Sequence, residues 1–409
     1  MDLIIRGARL ADDGEARWDI GVADGRIAAL APRLEAHGPE LDAGGQLVSP
    51  GLIETHIHLD KSRIVDRCAP ATGRARDYMA RVSAVKPRFT VEDVYARAAR
   101  TLEQCLLHGA THMRTHVEVD PNVGLRGFEA LQQLARDYAW AIDLELCAFV
   151  QEGWTGVPEA DRNMVAALEA GAEVVGGAPG YDRDHDAQIR RIFELARHYD
   201  RDVDIHLDVG PNTDDMDVWL VCELTDQHGY AGRVTVGHGT KYSLLPPEDL
   251  DRLGRRLAGA GVALTVLPAT DLFVTGRHQD HSVVRGVTDA NALAAHGVNC
   301  SLSTNNVLNP FTPFGDGSLV RIANLYANVV QRGNAGELAE VFEMLTRRSA
   351  RLLRCVDYGI AAGNPADLVL WDAESPAEAV ATVALPLAGF KRGRRVFSRP
   401  HPELHRPGA

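Results

Sequence analysis

Val48-Ser49-Pro50-Gly51-Leu52-Ile53-Glu54-Thr55-His56-Ile57-His58-Leu59-Asp60-Lys61 is the stretch on which the architecture turns. Its first half is an apolar run that reads as a buried strand, and its polar residues gather at the end. Side chains two apart on a strand share a face. His56 and His58 therefore project together from a strand end, where two neutral imidazoles can share one ion such as zinc or ferrous iron. The pair alone reads equally well as two histidines beside a surface turn. The rest of the chain decides between the two.

Downstream of this stretch, strand-like and helix-like runs alternate. The strand-like runs cover 52–58, 112–119, 143–150, 173–176, 202–208, 233–238, 262–267 and 298–303. Helix-like runs at 91–107, 128–138, 159–170, 187–198, 215–228, 247–260 and 289–295 separate them, with one further helical region at 318–353. Eight strands alternating with helices predict a parallel (β/α)8 barrel of the TIM type, with its active site at the C-terminal ends of the strands. Both ends of the chain read differently. Short strands at 2–9, 18–22, 26–30 and 46–48, with Asp24-Gly25 as a hairpin turn, are matched by strands at 368–371, 381–385 and 391–397. The division that follows is a small β domain from 1–49 and 359–409 and a barrel from 50–358.

The barrel makes a testable demand on the sequence: polar residues should close the strand runs and meet at one mouth. They do so on six of the eight strands. After His56 and His58 come Arg114-Thr115-His116-Val117-Glu118, then Gln151-Glu152-Gly153, His206-Leu207-Asp208, Gly237-His238 and Thr304-Asn305-Asn306.

Composition narrows the class. The chain has 409 residues, 45% hydrophobic and 24% charged, which is ordinary for a globular protein with a large core. A formal net charge of −13 argues against a nucleic-acid partner. No apolar run reaches the ~18 residues of a membrane helix. The start, Met1-Asp2-Leu3-Ile4-Ile5-Arg6-Gly7, lacks a basic and apolar leader, so no signal peptide is expected. Six scattered cysteines without a C-x-x-C pair fit reduced thiols and a cytoplasmic location.

With these residues in place, the chain resembles the amidohydrolase superfamily, in its cytosine deaminase and N-isopropylammelide hydrolase branch. The anchors are Ser49-Pro50-Gly51, His56-Ile57-His58-Leu59-Asp60, Arg114-Thr115-His116-Val117 and Gln151-Glu152-Gly153. His206, His238, Asn309-Pro310 with Pro313 and Gly315, and Tyr358 to Asn364 continue the likeness. The resemblance implies one divalent metal ion, zinc first and ferrous iron second, held by His56, His58 and His206. It implies that His238 polarises the substrate or contacts the metal-bound water, and that Gln151 hydrogen-bonds the ring. Lys61 resembles a lysine of the ammelide hydrolase. A small heterocyclic substrate and a homo-oligomer are also implied. Such an ion lowers the pKa of bound water towards ~7, and the hydroxide attacks a ring carbon while a proton donor helps the leaving group depart. Gln151, with one donor and one acceptor, can pair with both edges of a cyclic amide.

Two positions depart from the pattern. Where cytosine deaminases carry a glutamate three residues after the fifth-strand histidine, this chain has Val209, and where they carry an aspartate at the eighth strand it has Asn305. Three readings follow: other residues move the protons (Asp208, Lys61, His238, or Glu118 and Asp120); the leaving group needs little protonation, as in desulfuration of a thiohydantoin-type thione; or the protein binds a ring without turnover. Asn305 still offers a carbonyl oxygen to the metal or the water. Asp208 reads alternatively as an orienter of the metal histidine, and Lys61 as a partner of Asp60 or of a rim carboxylate. His116 is either a substrate contact or a packed core histidine. Arg277, in Arg277-His278-Gln279-Asp280-His281, is either a clamp for an anionic tail or part of a solvated loop. Phe311 and Phe314 either wall a flat ring or pack.

Overall fold

The computed structural model describes residues 1–11, 13–70, 77–400 and 404–405. Eight parallel strands follow one another in chain order: Leu52–Ile57, Ala110–Glu118, Asp143–Val150, Val174–Gly177, Asp202–Leu207, Val234–His238, Val262–Val266 and Cys300–Leu302. The ring closes through backbone just beyond the last strand. Ile57 bridges to Asn305, His58 N donates to Asn305 O at 2.9 Å, and Asn305 N donates to His56 O at 2.9 Å. The closure itself thus sets His56, His58 and Asn305 along one seam. Strands covered on both faces want β-branched and apolar residues, and the first, fifth and sixth strands are buried at every position.

Helices wrap the outside with the stop and start chemistry the sequence offers. Helix His185–Tyr199 is capped by Asp184, whose side chain accepts from Ala187 N. Helix Pro247–Ala260 begins on proline and ends at Gly261, whose φ of 68° only glycine adopts freely. The single helical region expected at 318–353 is three helices: Leu319–Val330, Ala335–Glu343 and Arg347–Leu352. The first stops at Gln331 in a left-handed conformation, and Asn334 with Glu337 forms a capping box that starts the second.

Both termini contribute to the remaining sheets. One contains Arg26–Ala31, Arg17–Ala23, Leu3–Arg9 and Glu40–Asp42; the other contains Arg394–Ser398, Pro386–Lys391, Leu368–Trp371 and Val48–Pro50. Asp24 (φ 50°) and Gly25 (φ 74°) make the hairpin turn between two of these strands, the two positive angles that a tight hairpin requires. A second apolar core joins Ile5, Ile20 and Ile27 from the start of the chain to Leu368, Leu370 and Phe390 from its end. The strand expected at 381–385 is absent: helix Pro376–Thr382 ends there in a left-handed Val383 before the next strand begins at Pro386. Residues 401–403 and 406–409 of the region read as the small domain lie outside the described residues.

Before helix Val91–Leu107 the described residues from 77 onward lie at the C-terminal mouth of the barrel, where Tyr78 and Met79 line the cavity. This segment carries the short helix Tyr78–Ser83 and the turn Lys86–Arg88, neither of which stands out in the sequence.

Candidate active site

Three imidazoles converge at the floor of the mouth. His56 Nε2 lies 3.2 Å and His58 Nε2 lies 3.0 Å from His206 Nε2. Burial first, then the crowding of the imidazoles on one another, with Lys61 adding to it at His58 and His206, holds all three pKa values well below the ordinary histidine range. They are therefore neutral, which is the metal-ligating form. Three lone-pair nitrogens so close cannot all be satisfied by one another, and the Nδ1 atoms of His56 and His58 have no hydrogen-bond partner among the described residues. The spacing fits a common ion, since ~2.0–2.1 Å bonds at a tetrahedral centre place neighbouring nitrogens ~3.3 Å apart. His238 joins the group: ligand atoms of His56, His206 and His238 all lie within 4.8 Å of one another.

His238 is held from behind. Its Nδ1 lies 2.5 Å from Asp271 Oδ1, a buried carboxylate on helix Pro268–Val274. That contact places the ring proton on Nδ1 and leaves Nε2 as an acceptor, 3.5 Å from Asn305 Nδ2. Asp271 escapes a reading of strand ends because the seventh strand closes on apolar Val266 and Leu267, and its carboxylate arrives one helical turn later. Gly237 makes room beside the site, because a Cβ there would meet His56 Cε1 at 3.1 Å.

Above the histidines opens a cavity of about 290 Å³, lined among others by His58, His206, His238, Lys61, Gln151 and Phe311. Lys61 Nζ donates to Glu118 Oε1 at 2.7 Å and to Gln151 Oε1 at 3.3 Å, and it sits 5.0 Å from the centre of the Phe311 ring. Tyr78 packs against Phe311 with ring centres 5.0 Å apart, so the segment before helix Val91–Leu107 supplies part of an aromatic wall. Beneath that segment Lys86 is buried among Glu118 (2.5 Å), Glu152 (2.5 Å) and Asp120 (3.4 Å). Burial opposes its charge, but the carboxylates outweigh burial and hold its pKa above the ordinary lysine value. Glu118 is thus shared between two lysines.

Three residues sit elsewhere than their sequence roles suggest. Asp208 lines the cavity, but its carboxylate accepts from Asp217 N (2.8 Å), Val218 N (3.2 Å) and Tyr242 Oη (2.8 Å). Burial pushes it up to about 6, and its oxygens anchor the start of helix Val218–His228 rather than facing a ring. His116 does not line the cavity. It stacks on the His56 ring at 3.7 Å between centres, with Nε2 3.3 Å from Asp204, which Arg114 grips at 3.0 Å. It therefore supports His56 from behind. Arg277 lies outside the lining, 4.9 Å from the Phe273 ring. Gln151 and Phe311 face the cavity, as do Asn305 and the exposed Val209. Asp208 (φ 52°), His238 (φ 75°) and Asn305 (φ 62°) all occupy the left-handed region, a strained backbone for residues with side chains.

Comparison with known proteins matches this geometry to a family. The chain is 29% identical to N-isopropylammelide isopropyl amidohydrolase of Pseudomonas sp. (strain ADP), with 96% of each chain covered. The structure of 5-methylcytosine deaminase from Klebsiella pneumoniae liganded with 5-fluorocytosine superposes with a TM-score of 0.94 at 29% identity, over 99% of this chain and 100% of that one. N-isopropylammelide isopropylaminohydrolase from Burkholderia multivorans superposes with a TM-score of 0.85 at 27% identity, over 96% and 97%. The family model for amidohydrolases spans residues 47–396, and the chain belongs to the amidohydrolase family.

Proposed function

We propose that the protein is a metal-dependent hydrolase that breaks an exocyclic carbon–nitrogen bond on a small nitrogen heterocycle, releasing ammonia or an amine. The observation that carries this is the convergence of His56, His58 and His206 at 3.0 and 3.2 Å on the floor of a ring-sized, aromatic-walled cavity. Likeness to relatives named for 5-methylcytosine and N-isopropylammelide supports the substrate class. His56, His58 and His206 would hold a divalent ion, which would supply Lewis acidity and an activated water.

The chain's own residues do the rest. His238, kept as the Nδ1–H tautomer by Asp271, offers Nε2 as the atom that takes a proton and returns it to the leaving group. Asn305, whose buried Oδ1 has no partner among the described residues, orients rather than ionises. Phe311 and Tyr78 hold a flat ring, and Lys61 and Gln151 grip its polar edge. Asp208 positions the loop after His206 through the start of helix Val218–His228.

The test is a panel of cytosine, isocytosine, ammelide-type triazines and thiohydantoins, with ammonia, amine and sulfide measured separately on protein whose metal has been quantified. Ammonia or amine release at one ion per chain is expected. His206→Ala should lose the ion and fall below about 1% of wild-type turnover, a loss larger than the 10–100-fold typical of residues behind a ligand. Sulfide as the only product, binding of a ring without turnover, or full activity in metal-free protein overturns the proposal.

A further inference from the structure

Amide side chains in the cavity have fixed orientations, and hydrogen-bond logic shows which. Asn309 Oδ1 accepts from Phe311 N at 3.0 Å and from Thr312 N at 3.2 Å. A backbone N–H only donates, so that end of Asn309 is its oxygen. Asn309 Nδ2 therefore donates to Lys61 O at 3.3 Å and to Asn306 Oδ1 at 2.6 Å. This fixes Asn306 in turn: its oxygen is held by Asn309, and its Nδ2 makes no hydrogen bond within the described residues.

Lys61 does the same for Gln151. An ammonium has three donors and no acceptor, so the Gln151 atom 3.3 Å from Lys61 Nζ is Oε1. Turning the amide round would set an NH2 group against the cation. Gln151 consequently presents Nε2 to the cavity, and it cannot serve both edges of a cyclic amide as the sequence alone suggests. Lys61 itself donates to Glu118 and Gln151, which leaves its third N–H without an acceptor among the described residues. The neighbouring carboxylates are engaged elsewhere among the described residues: Glu118 by Lys61 and Lys86, and Asp208 by the start of helix Val218–His228 and Tyr242.

We propose that Lys61, Gln151 and Asn306 form a donor-only rim that selects a ring presenting adjacent acceptors, two exocyclic oxygens flanking a ring nitrogen that carries no hydrogen. The chemical class is the deprotonated cyclic imide, and a ring with N–H at that edge is rejected because its proton meets another donor. The proposal deepens the assignment of a heterocycle to this cavity and rests on it. A site whose polar groups are left unpaired by the wrong partner discriminates strongly.

Two rings separate the cases: cyanuric acid, whose imide loses its proton in the near-neutral range, and uracil, whose imide keeps it. Calorimetric titration of the metal-loaded protein, at a pH where cyanuric acid is ionised, should show cyanurate binding at least about tenfold tighter than uracil, the scale of one charge-assisted hydrogen bond. Lys61→Met frees Gln151 to turn and should reduce that ratio about tenfold or more; Glu118 keeps Lys86 as a partner in this variant. Asn306→Asp, which replaces the exposed donor with an acceptor, gives an independent reduction. The preference should persist after chelation of the metal.

Equal or tighter binding of uracil, binding of neither ring, a ratio untouched by both variants, or a preference that vanishes with the metal each overturns the proposal. Absence of turnover across the heterocycle panel with this ratio intact would instead count against the hydrolase assignment alone.

Discussion

Two buried lysines at opposite ends of the barrel show how one side chain can serve the fold or a ligand. At the N-terminal end Lys391 Nζ donates to Asp143 Oδ2 (2.7 Å), Asp367 Oδ2 (2.7 Å) and Thr111 O (3.1 Å). All three of its hydrogens have acceptors in the protein, and these tie the strand Pro386–Lys391 to the barrel. At the C-terminal mouth Lys61 has two such acceptors. Both lysines are nearly inaccessible to solvent. What distinguishes them is one N–H of Lys61 without an acceptor among the described residues, and the proposed binding role of Lys61 rests on that hydrogen rather than on burial or charge.

The comparison breaks most severely if Lys391 is not structural. Lys391→Met takes the ammonium from buried Asp367, leaving it Arg392 N and His112 at 3.9 Å, and should cost about 3 kcal/mol in chemical denaturation, towards the low end for breaking a buried pair because those partners remain and Asp143 is 44% exposed. Ring binding and metal content of the folded variant should stay at wild-type levels. A loss of metal or ring affinity would erase the contrast between the two ends.

Asp271 sharpens the mouth side. Asp271→Asn keeps an oxygen for His238 Nδ1 but removes the charge, and turnover should fall 10–100-fold, about 1.4–2.7 kcal/mol, with metal content retained. Unchanged turnover would show that the tautomer of His238 is not what the site requires. Lys61→Met should be far milder than Lys391→Met in denaturation, about 1 kcal/mol, because Glu118 retains Lys86. If the two cost the same, Lys61 is as structural as Lys391.

Acid should separate the ends as well. Burial raises the Asp143 carboxyl, but His112 and Lys391, with Arg392 nearby, outweigh it and hold it well below the ordinary carboxylate value. A depressed folded-state pKa contributes stability that is present above the unfolded value near ~4 and is lost as pH falls below it. Wild type should therefore lose stability below about pH 4 more steeply than Lys391→Met does. Equal slopes would show that the Lys391 contact does not set this titration. The smallest effect is expected from Gly237→Ala, whose Cβ presses on His56 by a few tenths of an ångström and should weaken metal retention severalfold without unfolding the protein.

Much of this was legible in the sequence for a physical reason. Barrel strands are buried on both faces, so each reads as an apolar run, and their polar ends converge because the fold sends every C-terminus to one mouth. That is why His56, His58, His206, His238 and Asn305 could be placed in one neighbourhood. What stayed hidden depends on angles and partners rather than on pattern. His116 alternates in phase with a ligand, yet its ring lies behind His56. Asp208 follows a ligand directly, yet its φ of 52° turns its carboxylate towards a helix start. Asp271 comes from a helix where a strand end was the natural place to look. Asn309 enters the sequence reading only as an anchor of the family likeness, and its two backbone donors reveal that it sets the face Asn306 presents.

The unusual backbone at Asp208, His238 and Asn305 has a consequence for anyone breeding hardier forms of this molecule. Each holds roughly 1 kcal/mol that glycine would release. At Asp208 and His238 the side chains offset that strain, Asp208 through Asp217 N, Val218 N and Tyr242 Oη and His238 through Asp271; Asn305 lacks such a partner, so a search for heat tolerance alone should reach glycine there first.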